Sequence, residues 1–136
     1  MKSEKISINL TPAELGQIDL IVERGLYDNR SDFLRTAAQK LIENHPAEIR
    51  QFLEPEHLKD DVFTRLMWGI GIFVMTKDEI ENMVLRGTQV NIRTIGIFTF
   101  EKNITADEVK QVVRSCKVRG KIIASDEVKA ALKEIE

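Results

Sequence analysis

"KISINLTPAELGQIDLIVERG", residues 5 to 25, changes its period halfway. Ile6, Ile8 and Leu10 alternate with Lys5, Ser7 and Asn9, the two-residue period of a strand with one apolar and one polar face. Beyond Pro12 the apolar residues Leu15, Ile18 and Val22 recur at three and four, the period of an amphipathic helix. Thr11 can cap that helix, Pro12 suits its first position, and Glu14 three residues after the cap completes a capping box. Gly25 suits the way out of the helix, and "LYDNR" makes the turn. A second helix is expected from a cap at Ser31, with Asp32 in its first turn, to Asn44 before Pro46. Its apolar residues form two adjacent rows, Phe33, Ala37, Leu41 and Leu34, Ala38, Ile42, broad enough to bury against two neighbours.

Residues 1 to 45 hold one strand-like segment, and no tight turn leads from it to an antiparallel mate. A strand with unpaired backbone does not persist alone, and roughly 45 residues are too few for an adequate core. The simplest mate is the same strand of a second chain, antiparallel around a twofold axis, with Ile6, Ile8 and Leu10 on the helices. The outer face is then a ribbon carrying Lys5, Ser7 and Asn9 from each chain. The major groove admits such a ribbon, and these donors and acceptors suit base edges. The plain alternative leaves them as solvent-facing polar residues.

Strand, helix, glycine turn and capped helix in this order, with "NRSDFLR" opening the second helix, resemble the ribbon-helix-helix DNA-binding family of the MetJ, Arc and CopG type. The resemblance spans residues 3 to 44. It implies an intertwined homodimer on double-stranded DNA, with Lys5, Ser7 and Asn9 reading bases and Asn29, Arg30 and Ser31 holding phosphate. Free N–H groups and the dipole at a helix start attract an anion independently of any resemblance. The charge is unusual for such a domain. Residues 1 to 45 carry six Lys or Arg against seven Asp or Glu, a net of −1, so tight binding calls for several dimers side by side or a bound partner.

From Pro46 to Leu66 the chain is charged and cut by Pro46 and Pro55, with Leu58, Val62 and Leu66 spaced for a helix; residues 46–66 are read as a helical connector. Residues 67–136 carry an internal repeat. "GIFVMTKDEIENMV", "GIFTFEKNITADEVKQVV" and "GKIIASDEVKAAL" share a glycine, an apolar run, an Asp-Glu pair and a helical stripe, and Gly71, Gly96 and Gly120 are spaced by 25 and 24 residues. Thr76 with Glu79 and Thr105 with Glu108 form capping boxes, which assigns the acidic pairs to helix starts rather than to catalysis. Ile70 to Met75 and Ile95 to Phe100 do not alternate, as expected of parallel strands covered on both faces, with Trp68, Phe73, Phe98 and Phe100 in the core.

The fold class is α+β: a ribbon-helix-helix over residues 1–45, then a small repetitive α/β domain of three strand-helix units for oligomerisation or for binding an effector or partner. No apolar run of about 18 residues is present, so neither a membrane span nor a signal peptide is expected, and the location is read as cytoplasmic. His45, His57 and Cys116 are too few and too scattered for a metal site or a nucleophile with its base, so no cofactor, metal or catalytic residue is assigned. The function read is a sequence-specific transcriptional regulator, a repressor. The alternatives are the antitoxin of a toxin–antitoxin pair and a dimeric assembly module that does not bind DNA.

Overall fold

A computed structural model describes residues 3–58 and 63–135. The chain divides into two compact units, residues 2–48 and 49–136. In the first, helix α1 (Pro12–Glu23) starts at the capping box read from the sequence: the Thr11 side chain accepts from Glu14 N, and the Glu14 carboxylate accepts from Thr11 N at 3.1 Å. Gly25, at φ 80°, takes the left-handed turn out of the helix region, a conformation without steric cost only for glycine. Helix α2 (Arg30–Glu43) follows, and Tyr27 meets Phe33 edge to face at 5.1 Å. Packing is thin. Ile18 is the sole buried hydrophobic side chain of these two helices, α2 buries none, and Leu41 and Ile42 stay about 60% exposed.

The second unit contains helix α3 (Pro46–Leu53) only in part; its main body is β1 (Thr64–Met75), α4 (Lys77–Arg86), β2 (Gln89–Phe100), α5 (Ala106–Val112), β3 (Val113–Ile123) and α6 (Asp126–Ile135). The three strands are parallel in the order β1-β2-β3. Each strand-to-strand step therefore runs in the same direction and through a helix, and crossovers of one hand put their helices on one side of the sheet. Ile80 of α4, Val109 and Val112 of α5, and Val128 and Leu132 of α6 accordingly share one core with Met75, Ile92, Phe98 and Phe100 of the strands.

This topology corrects three readings. The second face of the sheet is open along β1: Trp68 is 46% and Ile70 64% exposed, and Ile72 and Val74 are exposed beside them, so Trp68 is not a core residue, although Asn91 and Arg93 of β2 on the same face are buried. The segment before the third glycine, Gly120, is strand rather than helix end, since β3 begins at Val113. The described ends of the stretch read as a helix through Leu58, Val62 and Leu66 are not helical. Leu66 lies in β1, Leu58 follows a turn, and Val62 falls outside the described residues.

The 25- and 24-residue spacing of the glycines is the register of the sheet. Gly71 pairs with Gly96 and Gly96 with Gly120, a column across all three strands; a register shift between Val90 and Asn91 places one extra residue, Arg114, in β3 before the column. The column is a close-approach site. A Cβ on Gly96 would fall on the carbonyl oxygen of Gly71, and a Cβ on Gly120 on that of Gly96, and both glycines have φ near 130–140°. Side chains are excluded there twice, by space and by backbone conformation.

Helix starts tie one repeat to the next. Thr76 and Thr105 make full capping boxes with Glu79 and Glu108, and Ser125 Oγ accepts from Val128 N at the start of α6. Lys77, the first residue of α4, donates from Nζ to the Glu108 carboxylate and, at 2.9 Å, to the Asn103 carbonyl, while its backbone N–H donates to Glu101 Oε2 at 2.8 Å. Burial pushes the Glu108 carboxyl up, but the hydrogen bonds from Lys77 and Thr105 together outweigh it and hold the group below the usual carboxylate range. A lowered folded value means stability that is present above the unfolded pKa, near 4.3, and is lost as pH falls through the folded value.

Two outcomes follow for this unit. Gly96→Ala should lower its unfolding free energy by at least ~2 kcal/mol in urea titrations. Gly71→Ala, which meets no atom within 4 Å but carries φ 140°, should cost less, and equal losses would contradict the column as a close-approach site. Replacing Glu108 by Gln should flatten the fall of thermal stability between neutral pH and pH ~3, and an unchanged acid profile would remove the ion pair from the account.

Candidate functional site

Residues 3–9 are exposed throughout, and Leu10 is partly buried; the segment belongs to no strand of the single chain. Ile6 is 82% and Ile8 55% exposed. Lys5, Ser7 and Asn9 are exposed beside them, so the segment shows both its polar and its apolar side chains to solvent. Exposed isoleucines thus stand at every second position immediately before a fully formed capping box.

Helix α2 begins differently from the sequence reading. Its cap is Asn29, whose Oδ1 accepts from Asp32 N at 2.8 Å, so Arg30 is the first helical residue and Ser31 the second. Asp32 Oδ2 in turn accepts from Asp28 N at 3.0 Å, which closes the turn from α1. Asn29, Ser31 and Asp32 are all competent caps, and the three-residue spacing from Asn29 to Asp32 was the signal that distinguishes them. Asn29, Arg30 and Ser31 do gather at one helix start, where N–H groups of the first turn lack intrahelical partners.

Asp19 is the residue that sequence reading did not find. Its carboxylate takes both arms of Arg30, Nε at 2.7 Å and an Nη at 2.8 Å, a bidentate pair between α1 and α2. The hydrogen bond to Arg30 lowers the Asp19 carboxyl against a small opposing effect of burial, and the same bond raises the Arg30 guanidinium. Both groups stand in solvent, so the pair orients Arg30 more than it stabilises the fold. Residues eleven apart on two helices share no local period, which is why no pattern in the sequence announces the contact.

With an alternating apolar and polar segment, a capped first helix, a glycine turn and a capped second helix in place, the class is that of small regulators built on a ribbon and two helices. The chain belongs to the ribbon-helix-helix transcriptional regulator family, whose model matches residues 1–129. The match extends the resemblance seen at residues 3–44 through the strand-helix repeats, so those repeats are part of the family pattern. No curated protein and no solved structure matches the chain. Among the described residues no helix is long and apolar enough to cross a membrane.

Loss of the cap gives a direct check on where α2 begins. Asn29→Ala should destabilise the N-terminal unit by ~1 kcal/mol in thermal melts, and Ser31→Ala should cost only a few tenths. The reverse order would restore Ser31 as the cap.

Proposed function

We propose that the protein is a sequence-specific DNA-binding transcriptional repressor whose residues 5–10 pair with the same residues of a second chain and enter the major groove. The observation that carries this reading is the first unit's lack of a core: Ile6, Ile8, Leu20, Leu41 and Ile42 are exposed and only Ile18 is buried in its two helices. An antiparallel pairing of the two strand segments would cover Ile6 and Ile8 and turn Lys5, Ser7 and Asn9 outward as a six-residue reading surface. Membership in a family of transcriptional regulators supports the role. Residues 1–45 are then the DNA-binding and dimerisation domain, and the C-terminal repeats an oligomerisation or effector-binding module.

Phosphate would lie at the start of α2, against the unpaired N–H groups of its first turn and the side chains of Asn29, Arg30 and Ser31. Arg30 is held by Asp19, so a phosphate there either shares the guanidinium or displaces the carboxylate. Asp19 thus tempers the affinity of a domain that is already close to neutral. The antitoxin alternative relies on a tail that takes shape on its toxin, and the second unit already has a core of its own strands and helices.

Titrations against matched and mismatched DNA at several salt concentrations test the assignment. Asn9→Ala should lose ~1–3 kcal/mol of discrimination at one position of each half-site. Arg30→Ala should weaken all sequences alike and lower the salt slope by about one counterion per half-site, while Asp19→Asn should raise affinity for all sequences. If none of the three changed DNA binding, the reading as an assembly module without DNA would replace this one.

A further inference from the structure

The two outer strands of the sheet are built differently. β3 carries Arg114, Lys117, Arg119 and Lys121 among its eleven residues, the kind of charge that keeps an edge strand from pairing with another chain. β1, of twelve residues, has one charged side chain, Arg65 near its start, and is uncharged from Leu66 to Met75. An apolar edge of that length is a template for a further strand. Gly71 points the same way. Gly96 and Gly120 hold a backbone that leaves room for the carbonyl of the strand before, whereas Gly71 holds the same conformation, φ 140°, where a Cβ would meet nothing within 4 Å. Among the described residues no strand lies beyond β1 to use that room. Beside the edge, β1 and α4 border a groove of about 560 Å³ whose lining includes Arg65, Glu79, Asn82, Met83 and Arg86.

We infer that β1 pairs edge to edge and antiparallel with β1 of a second copy, so that the two sheets become one continuous sheet and α4 lies beside α4 on its helical side. Helix α4 argues for a second copy rather than another protein. Glu79, Asn82, Met83 and Arg86 border the groove at the three- and four-residue spacing of one helical row. Reversed on itself about the point between Asn82 and Met83, that row sets Glu79 of each copy against Arg86 of the other. Neither residue makes an ion pair within its own chain among the described residues. Glu79 accepts from Thr76 N through Oε2 and can still meet a guanidinium through Oε1. One twofold axis serves both layers. Only Thr76 separates β1 from α4, and Gln89, three residues beyond Arg86, pairs with Thr64, so the helix runs back along the strand and its middle falls near Ile70. An axis there sets Ile70 opposite Ile70, Gly71 opposite Gly69, and Trp68 opposite Ile72, an aromatic and β-branched pair of the favoured kind. It also brings Arg65 of each copy beside Met75 of the other, at the end where Glu79 stands. The cations of β3 go to the two outer edges, about five strand spacings of ~4.8 Å apart and well beyond the ~8 Å Debye length at physiological salt. Main-chain hydrogen bonds along the joined edge supply affinity that side-chain area alone does not. Adding β3 of another copy to β1 would also extend the glycine column, but it would leave the exchange between Glu79 and Arg86 unmade and would build on the charged strand.

This deepens the reading of the repeats as an oligomerisation module and does not depend on pairing of residues 5–10. The first measurement is a cross-link in the full chain. Ile70→Cys places two thiols across the axis at a separation a disulfide accepts, and mild oxidation should convert the protein to a two-chain species. Ile123→Cys, also exposed but on β3, should stay single, and the native Cys116 is buried and does not compete. The second measurement is mass. Ile8→Asp removes the N-terminal pairing, and that protein should still sediment at twice the 15.6 kDa of one chain. Adding Ile70→Lys, which sets two like charges face to face, or Arg86→Glu, which turns the exchange with Glu79 into repulsion, should each reduce the mass to one chain. Circular dichroism should stay that of the parent, since both side chains are exposed, and two separate positions guard against a folding defect at one. The pairing would be overturned by no link at Ile70→Cys, by equal linking at Ile123→Cys, or by an Ile8→Asp chain that is monomeric across a concentration series. A mass in that variant climbing past two chains, the mark of head-to-tail addition, would overturn it as well. The two contacts fail separately: a wild-type pair that Ile8→Asp alone dissolves leaves only the N-terminal strands, whereas a monomer produced by Arg86→Glu alone would leave the β1 edge standing and residues 5–10 unpaired.

Discussion

The backbone contact between Gly71, Gly96 and Gly120 governs the larger part of this molecule. Three neighbouring strands approach so closely at this column that a single methyl group would collide with the carbonyl of the strand before it. The strands can therefore align in only one way, glycine beside glycine, and the helices that join them inherit a fixed period. Parallel strands joined through helices cross over with one hand, and one hand sets all helices on one side of the sheet and leaves the other side open along β1. A sheet with helices on one side only is an incomplete layer structure. The same argument that explains the core thus explains why Trp68 and its neighbours stay outside it.

The first unit is incomplete for another reason. Its two helices have good caps, a bidentate ion pair and an aromatic contact, yet these are local or surface interactions and contribute little burial. What such a short segment lacks is apolar area removed from water, and the alternating isoleucines before α1 are the material from which it would come. Both units hence end in apolar surface that the chain does not cover by itself.

What could be read from the sequence was the chemistry that is local. Capping boxes at Thr11, Thr76 and Thr105 need only residues three apart, and each is formed. The repeat was visible because one close-packed glycine column imposes it. The third strand-helix unit is legible, but its strand starts at Val113, earlier than the repeat suggests: Cys116, Val118, Gly120 and Ile122 alternate with Lys117, Arg119 and Lys121, a period of two hidden by the preceding helical stripe of Val109 and Val112. Coverage of the sheet and the pairing of Asp19 with Arg30 were out of reach, because each depends on elements distant in sequence meeting in space. The cap of α2 was misplaced among three competent residues in "NRSD", where only spacing to Asp32 decides.

On the function proposed for residues 1–45, their weak charge bears on how DNA would be held. A domain whose Lys and Arg are balanced by Asp and Glu, and whose Arg30 is already held by a carboxylate, gains little from phosphate neutralisation. Affinity for a particular operator then has to come from number. Joining dimers through a second interface makes each further half-site an intramolecular event, with an effective concentration in the millimolar range for a short connection, and can raise avidity by ~10²–10⁴ without any new contact to DNA. Modest charge becomes an advantage under that arrangement. An isolated dimer would bind bulk DNA poorly, whereas an array of dimers on correctly spaced half-sites would bind well, so discrimination would rest on site spacing as much as on the proposed readers Lys5, Ser7 and Asn9.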